Sequence, residues 1–434
     1  MTWGTANFLR PPRLHFKRHL HKRLFKPARQ QAEIALATVY RRVLGAFGRT
    51  CFVGITGSCG KTTAAELLAA ILAREGRIRQ GIGANTTDYI ARTVLTVGPW
   101  HRFCVSEVSA HQAGVIGRSV RVLRPDIAMV TNINADHYGE YRSLETTAAE
   151  KVKLVEALSA KGTAVLNADD EYVYAMRKRT AAKVLTFGLS ERAQVRGENV
   201  SCAWPRRLSM DICYENRRVT VQTRLLGEHW AYVVLTAAAA AIAAGVPLER
   251  AAEAIGKVDP IPSRMSEHTT PDGVTFLRDD FKAPLWTVSA CIDLLRKAEA
   301  KRKILAIGSI SDTPKSHRER QRAIIREALD VVDKVVFVGD CSRSALKARS
   351  SPDDDRIMAF GTLQEFNAYL EDYLEAGDLV LLKGSRKSDH FDRLVLARTN
   401  NLACWRHACE KDRFCHCCRH RDLPARPMDP VPRR

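Results

Sequence analysis

An α/β protein is predicted, with a P-loop central unit on a doubly wound, mostly parallel sheet and a second, Rossmann-like α/β unit behind it. Three observations predict it. The stretch FVGITGSCGKTTAAELLAAIL, Phe52 to Leu72, runs from a short apolar strand through a glycine turn into an apolar pattern of helical period. From Thr50 to about Pro262, short apolar runs alternate with helical segments, as in a parallel sheet covered on both faces. DPIPSR, Asp259 to Arg264, then interrupts the chain with two prolines, and the alternation resumes beyond it.

Taken in order, the first 49 residues carry eleven Lys or Arg and one acid, Glu33. From Arg10 to Arg29 the bases are interleaved with Leu and Phe, without the apolar core or cleavage site of a signal peptide. Two readings stay open: a solvated helical arm packed on the unit behind it, or a basic amphipathic helix on an anionic membrane surface. Residues 31–47, with Ile34, Leu36, Val39, Tyr40, Val43 and Leu44, read as a helix leading into the first strand.

In the central unit, residues 103–108, 127–131, 164–167 and 183–187 suit buried strands, and 152–158 and the alanine run 235–244 suit helices. Between 195 and 226 the pattern turns to alternation, as in LSMDIC and VTVQTR, which predicts antiparallel hairpins on a sheet edge. Gly245-Val-Pro closes the alanine helix. Beyond the linker, strands are predicted at 274–277, 303–307, 334–338 and 379–383, with helices at 286–298 and 318–331. The units are thus a basic arm (1–48), a central unit (49–261), a C-terminal unit (262–400) and a Cys-rich tail (401–434).

The totals bound the partners. A chain of 434 residues has room for about three domains, and no apolar run is long enough to span a bilayer. A net charge of +20 favours anionic partners: nucleotides, acidic polymers or a phospholipid surface. No nucleic-acid module is legible and aromatic interleaving is sparse, so no specific nucleic-acid partner is expected. Seven of the twelve cysteines are scattered from Cys51 to Cys341, which suits a reducing cytoplasm, with the arm touching the inner membrane face under its second reading.

The turn after the first strand reads as a phosphate cradle. Gly57 and Gly60 let the backbone curl round Ser58 and Cys59 so that successive N–H groups face one concavity at a helix start. Lys61 adds a point charge for the outer phosphates, and Thr62 or Thr63 offers a hydroxyl to Mg²⁺. Ile55 stands where the strict eight-residue pattern has glycine, so the loop is a variant. Further on, VSEVSA puts Glu107 at a strand end, where its carboxylate can reach that metal. TNINADHYGEY offers Asn132, Asp136 and His137, and a helix carries Lys151. In a doubly wound sheet all of these fall beside the loop.

In this order the motifs resemble the Mur ligase family of ATP-dependent amide ligases, from about residue 50 to 400. GITGSCGKTT, the Glu of VSEVS, TNINADH, Lys151, NADD (Asn167 to Asp170), GEH (Gly227 to His229), Arg264, DDFKA (Asp279 to Ala283) and KGSR (Lys383 to Arg386) carry the resemblance. KGSR and AIGSISD look most like the member that adds D-alanyl-D-alanine, and DDFKA looks more like the D-glutamate-adding branch. The resemblance implies that a substrate carboxylate takes the γ-phosphoryl group of ATP and the acyl phosphate is then captured by the amine of an amino acid or short peptide. It implies one Mg²⁺ on Thr62 and Glu107, and a second on His137 and Lys151, the lysine matching one that the family carbamylates. It also implies nucleotide contacts from Asn167 and Asp170, Arg264 on the γ-phosphate, and Asp280 and Lys282 acting when the last domain closes. Trp230 and Val233 replace the family's adenine-side asparagines, so Trp230 is expected to stack on the base. Peptidoglycan members carry a UDP-sugar domain ahead of the loop, where a strongly basic stretch of fewer than fifty residues stands here; an acidic polymer, a small peptide or another carboxylate is therefore also open as substrate. A P-loop ATPase subunit without ligase activity is the alternative function.

The tail, CWRHACEKDRFCHCCRHR, offers Cys404, Cys409, Cys415 and Cys418 as a tetrahedral set for a structural Zn²⁺, with Cys417 and three histidines nearby. An exposed thiol-rich tail is the other reading.

Overall fold

The computed structural model describes residues 13–47, 50–136, 138–399, 402–406, 409 and 414–418, the side chains of 13–27 and 138 excepted. Two sheets organise it. The first has nine strands: β1 (Cys51–Thr56), β2 (Ile78–Gly81), β3 (Phe103–Glu107), β4 (Ile127–Val130), β5 (Thr163–Asn167), β6 (Lys183–Gly188), β7 (Val195–Ser201), β8 (Ser209–Tyr214) and β9 (Arg217–Gln222). Their order is β2-β3-β1-β4-β5-β6-β7-β8-β9, parallel as far as β7 and antiparallel in β7-β8-β9. The second has six: β10 (Ser266–Thr269), β11 (Thr275–Asp279), β12 (Lys303–Ile307), β13 (Lys334–Val338), β14 (Ile357–Phe360) and β15 (Leu379–Lys383), ordered β10-β11-β15-β12-β13-β14. Only β10 runs antiparallel to its neighbour there. The hairpin edge expected from the alternating stretch is β7-β8-β9. Strands β2, β10 and β14 were not predicted.

Topology places the site. The chain moves from β1 outward to β3 on one side and β4 on the other, so the strand order reverses at β1. A crevice opens at such a reversal, beyond the carboxyl ends of the strands. The helix Lys61–Ala73 leaves that point and packs on the helix Ala231–Ala243, whose run of buried alanines lets the two backbones approach closely. Val53, Ile55, Leu67, Leu68 and Leu235 belong to one buried cluster, which holds the start of the loop helix rigid.

The N-terminal helix, Arg13–Ala46, is longer than predicted and docks its second half on the helices Thr87–Leu95 and Val115–Leu123. Tyr40 OH donates to the Val97 carbonyl at 2.6 Å, and Arg41 donates to the carbonyls of Leu123 and Arg124 while lying 3.7 Å over the Phe52 ring. The helix expected over 31–47 is thus present and packed on the central unit, while the side chains of 13–27, in the basic stretch with its two readings, lie outside the described residues. Leu36, Val39, Val43 and Phe47 remain exposed on the other side. Among the described residues, no helix is long and apolar enough to cross a membrane.

Candidate active site

The loop between β1 and its helix is fastened by the strand beside it. Asn132, just past β4, accepts the Ser58 amide through its backbone oxygen at 2.9 Å and the Cys59 amide through Oδ1 at 2.9 Å. Thr131 Oγ1 donates to the Cys59 carbonyl at 2.6 Å. Gly57 has φ +146, and a Cβ there would lie 1.8 Å from Thr131 Oγ1, so only glycine fits against this strap. Gly60, at φ +77, caps the helix from the left-handed region. The amides of Ser58 and Cys59, expected to hold phosphate, thus serve the fastening. The open donors are the N–H groups of the first helical turn, Lys61 to Thr63, which have no partner within the helix.

Four charges from four segments converge in front of the loop. Asp136 lies 4.0 Å from Lys61 Nζ, 3.6 Å from Lys151 Nζ and 2.8 Å from Lys282 Nζ. Lys282 reaches over from the second sheet and also pairs with Asp312 at 2.9 Å. Lys151, on the helix Leu144–Glu156, is 1% exposed and donates to Ser58 Oγ at 2.7 Å. Burial, then the neighbouring Lys61 charge, pulls its pKa down to about 7. Lys61 itself folds back to the Gly57 carbonyl.

Glu107 ends β3 in register with Ile55, which brings it to the same mouth, and it accepts the Gly83 amide at 2.9 Å. Arg264, the last residue of the linker, donates to Thr62 Oγ1 at 3.1 Å and lies 4.3 Å over the Phe281 ring. Burial lowers its pKa, and Glu107 is the largest charge opposing that shift. The Oγ1 atoms of Thr56 and Thr63 and the Nε of Arg264 are buried without a hydrogen-bond partner. Lys61, Thr62, Thr63, Glu107, Lys151, Arg264 and Lys282 are therefore gathered at one place. His137 lies outside the described residues.

Other expected residues are used differently. Asn167 Nδ2 donates to the Thr131 carbonyl at 2.9 Å, and Asp170 accepts the amides of Ile133 and Val173. Both brace the segment that straps the loop, and their polar atoms are engaged within the protein. Trp230 is 7% exposed inside the main core cluster, with its ring 4.9 Å from that of half-buried His229, so it presents no open face for a base. Asp280 is 1% exposed and pairs with Arg278 at 3.0 Å, behind the linker rather than at the mouth. Its neighbour Asp279 holds the fully buried Lys383 of KGSR at 2.5 Å.

Two contributors were missed as site residues: Asp312, which pairs with Lys282, and Arg386, which lies 4.5 Å over the Phe281 ring. Arg386 sits in KGSR, a quoted motif, while Asp136 is already a candidate from TNINADH. Asp312 ends AIGSISD, and only the closure of the second sheet on the first gives it a role. In the tail, of the four cysteines expected to form one set, only Cys415 falls in a group whose ligand atoms lie within 4.8 Å of one another, and its companions there are His390 and Asp392. Of the four, Cys404 and Cys415 are buried and Cys409 and Cys418 half-buried.

Comparison with known proteins agrees with this layout. Residues 55–241 match the Mur ligase middle domain, and residues 263–386 match the Mur ligase, glutamate ligase domain. The UDP-N-acetylmuramoyl-tripeptide–D-alanyl-D-alanine ligase of Mycobacterium bovis is 31% identical over 312 residues, 70% of this chain and 61% of that protein. The chain thus spans about three fifths of that relative's length. A crystal structure of MurF from Acinetobacter baumannii superposes with a TM-score of 0.76 at 22% identity, covering 85% of this chain and 80% of the other. MurF ligase from Thermotoga maritima in complex with ADP gives 0.71 at 20% identity, covering 85% and 82%. With two domains of one family matched in order over more than two thirds of its residues, this chain belongs to the Mur ligase family.

Proposed function

We propose that this chain is an ATP- and Mg²⁺-dependent ligase that joins a substrate carboxyl group to the amine of an amino acid or short peptide. The observation that carries the reading is the meeting of Lys61, Lys151 and Lys282 on the single carboxylate of Asp136, at the start of the loop helix. Lys282 divides itself between Asp136 and Asp312, and ammonium groups that share carboxylates in this way can turn to the phosphates of a bound triphosphate. The buried, unpartnered hydroxyl of Thr63 and Nε of Arg264 are further polar groups suited to phosphate and metal oxygen. Thr62 and Glu107 would hold one Mg²⁺, and His137 with Lys151 a second. Such ions would supply charge neutralisation for the phosphates.

The residues then have distinct tasks. Lys61 and the amides of the first helical turn orient the phosphates for in-line attack. A carboxylate oxygen of the substrate bonds to the γ-phosphorus while the bond to the β-phosphate oxygen breaks, releasing ADP. The incoming amine then attacks the acyl carbon, loses a proton, and the carbon–oxygen bond to phosphate breaks. Arg264, from the end of the linker, and Lys282, from beyond it, stabilise the charge on the transferred and departing phosphate. Lys151, with its pKa near neutrality, has enough free amine to add CO₂, and the resulting carbamate turns a cation into an oxygen donor for metal. The central unit (49–261) and the C-terminal unit (262–400) would hinge at the proline linker. The carboxylate is most simply a muramoyl peptide, as the names of the relatives suggest, which makes the setting peptidoglycan assembly in the cytoplasm.

A phosphate-release screen, crossing muramoyl peptides and other carboxylates with amino acids and dipeptides, tests the reading. Release is expected only when both partners are present. Release from ATP alone at the same rate would identify an ATPase subunit instead.

The membrane reading of the arm has one observation in its favour. Leu36, Val39, Val43 and Phe47 recur at helical spacing on the exposed face, behind the basic stretch from Arg10 to Arg29. Cosedimentation with anionic but not neutral vesicles is expected, weakened by Val39→Glu with Val43→Glu. Equal failure to bind either vesicle removes the proposal.

A further inference from the structure

Behind KGSR the chain turns through Asp389 to Phe391 into the helix Asp392–Thr399, and the tail returns onto that turn. His390, Asp392 and Cys415 meet there, all buried, with one ligand atom from each within 4.8 Å of the others. His390 Nε2 lies 2.9 Å from the Cys409 carbonyl. A carbonyl only accepts, so the ring proton belongs on Nε2 and Nδ1 carries a lone pair. Cys415 Sγ faces that lone pair at 3.6 Å. Metal–sulfur and metal–nitrogen bonds of about 2.3 and 2.05 Å at a tetrahedral angle set sulfur and nitrogen about 3.6 Å apart.

The surroundings are those of ligands held from behind. Arg393 Nε donates to Cys415 Sγ at 3.3 Å, a contact that favours thiolate. Asp392 Oδ2 accepts the Cys415 amide at 2.6 Å, which orients the carboxylate. His390 has φ +51, a left-handed conformation that costs energy in a residue with a side chain, and it aims the ring at the sulfur. The Cys409 backbone, through the carbonyl that holds His390 Nε2, passes beside the same group. A nucleophilic cysteine is the competing chemistry, but Cys415 is 6% exposed and has no approach for a substrate.

We infer that His390 Nδ1, the Asp392 carboxylate and the Cys415 thiolate bind a zinc-type divalent ion that clasps the tail to the C-terminal unit. Binding releases the Cys415 thiol proton to solvent. The site differs from the four-cysteine set that spacing suggests, because two of its ligands come from the α/β unit and not from the tail. It does not depend on the ligase reading, since none of its ligands faces the loop.

The test uses the full chain, reduced, loaded with Zn²⁺ and dialysed into metal-free buffer. One zinc per chain is expected by elemental analysis, kept in Cys417→Ser, whose thiol is exposed and outside the group, and lost in Cys415→Ser and His390→Ala. Loading with Co²⁺ instead gives a thiolate-to-metal absorption in the intact protein without any mutation. Asp392→Asn, close in shape, shifts the visible cobalt bands while the fold is kept. Failure of the reduced wild-type chain to retain zinc, or cobalt spectra identical in wild type, Cys415→Ser and His390→Ala, overturns the inference.

Discussion

At the scale of single residues, Lys151 carries the most chemistry. A lysine sealed among Ser58, Asp136 and Lys61 loses hydration and faces a like charge, and both effects favour its neutral form. Its pKa falls from 10.5 to about 7. Unfolded chain therefore binds more protons than folded chain between those values, so this group's contribution to stability rises with pH across that window. The same window governs the carbamate, which forms on free amine. At constant dissolved CO₂, ligase activity is expected to fall as the pH drops below about 7, and a profile flat from pH 8 to 6 would contradict it. Lys151→Ala is expected to abolish turnover, with partial recovery in short-chain carboxylic acids, measured by phosphate release with both substrates present. These residues were legible because their motifs fall at strand ends. Trp230 was misjudged because its position in a motif says nothing of the cluster that buries it, and Asn167 and Asp170 because polar residues at a site also serve to brace it.

Elements were legible in proportion to the apolar surface they bury on both faces. β1, β3, β4, β12 and β15 are continuous apolar runs in the middle of sheets, and the sequence marks each of them. The three unpredicted strands, β2, β10 and β14, all lie at sheet edges, where one neighbour is absent. IRQG and SEHT carry too few apolar residues to show any period, and such short polar strands also resist pairing with other chains. The N-terminal helix was read at its apolar end and missed at its basic end, because charge hides helical period. Its docking rests on Arg41, whose buried guanidinium reaches two carbonyls and Asp126. Arg41→Ala leaves those carbonyls unmatched and is expected to cost about 2–3 kcal/mol, read as a lower urea midpoint. Arg29→Ala, at an exposed ion pair, is expected to change stability by less than about 0.5 kcal/mol.

On the scale of the whole molecule, the two sheets are joined at the mouth of the loop by side chains from opposite sides of the linker. Lys282 spans from the second sheet to Asp136, Arg264 reaches Thr62, and away from the mouth Lys297 pairs with Glu228 at 2.6 Å. None of these pairings is visible in sequence, because each links segments more than sixty residues apart. The tail adds a further layer. Phe414 lies 4.9 Å under the Arg386 guanidinium, Arg386 lies 4.5 Å over Phe281, and Arg264 lies 4.3 Å over the same ring. A stack of alternating aromatic and guanidinium groups thus runs from the residue beside Cys415 to the arginine on the loop. Loosening the tail frees Phe414 and Arg386, so Arg264 loses its support while Lys61 and Thr62 stay in place. Chelation of the tail metal, or Phe414→Ala, is therefore expected to raise the KM for ATP several-fold and leave the tail-independent helix docking at residues 29–46 unaltered. Steady-state kinetics at varied ATP with and without the chelator, Mg²⁺ being held in excess, decides it: an unchanged KM would show that the stack carries no load between the clasp and the nucleotide.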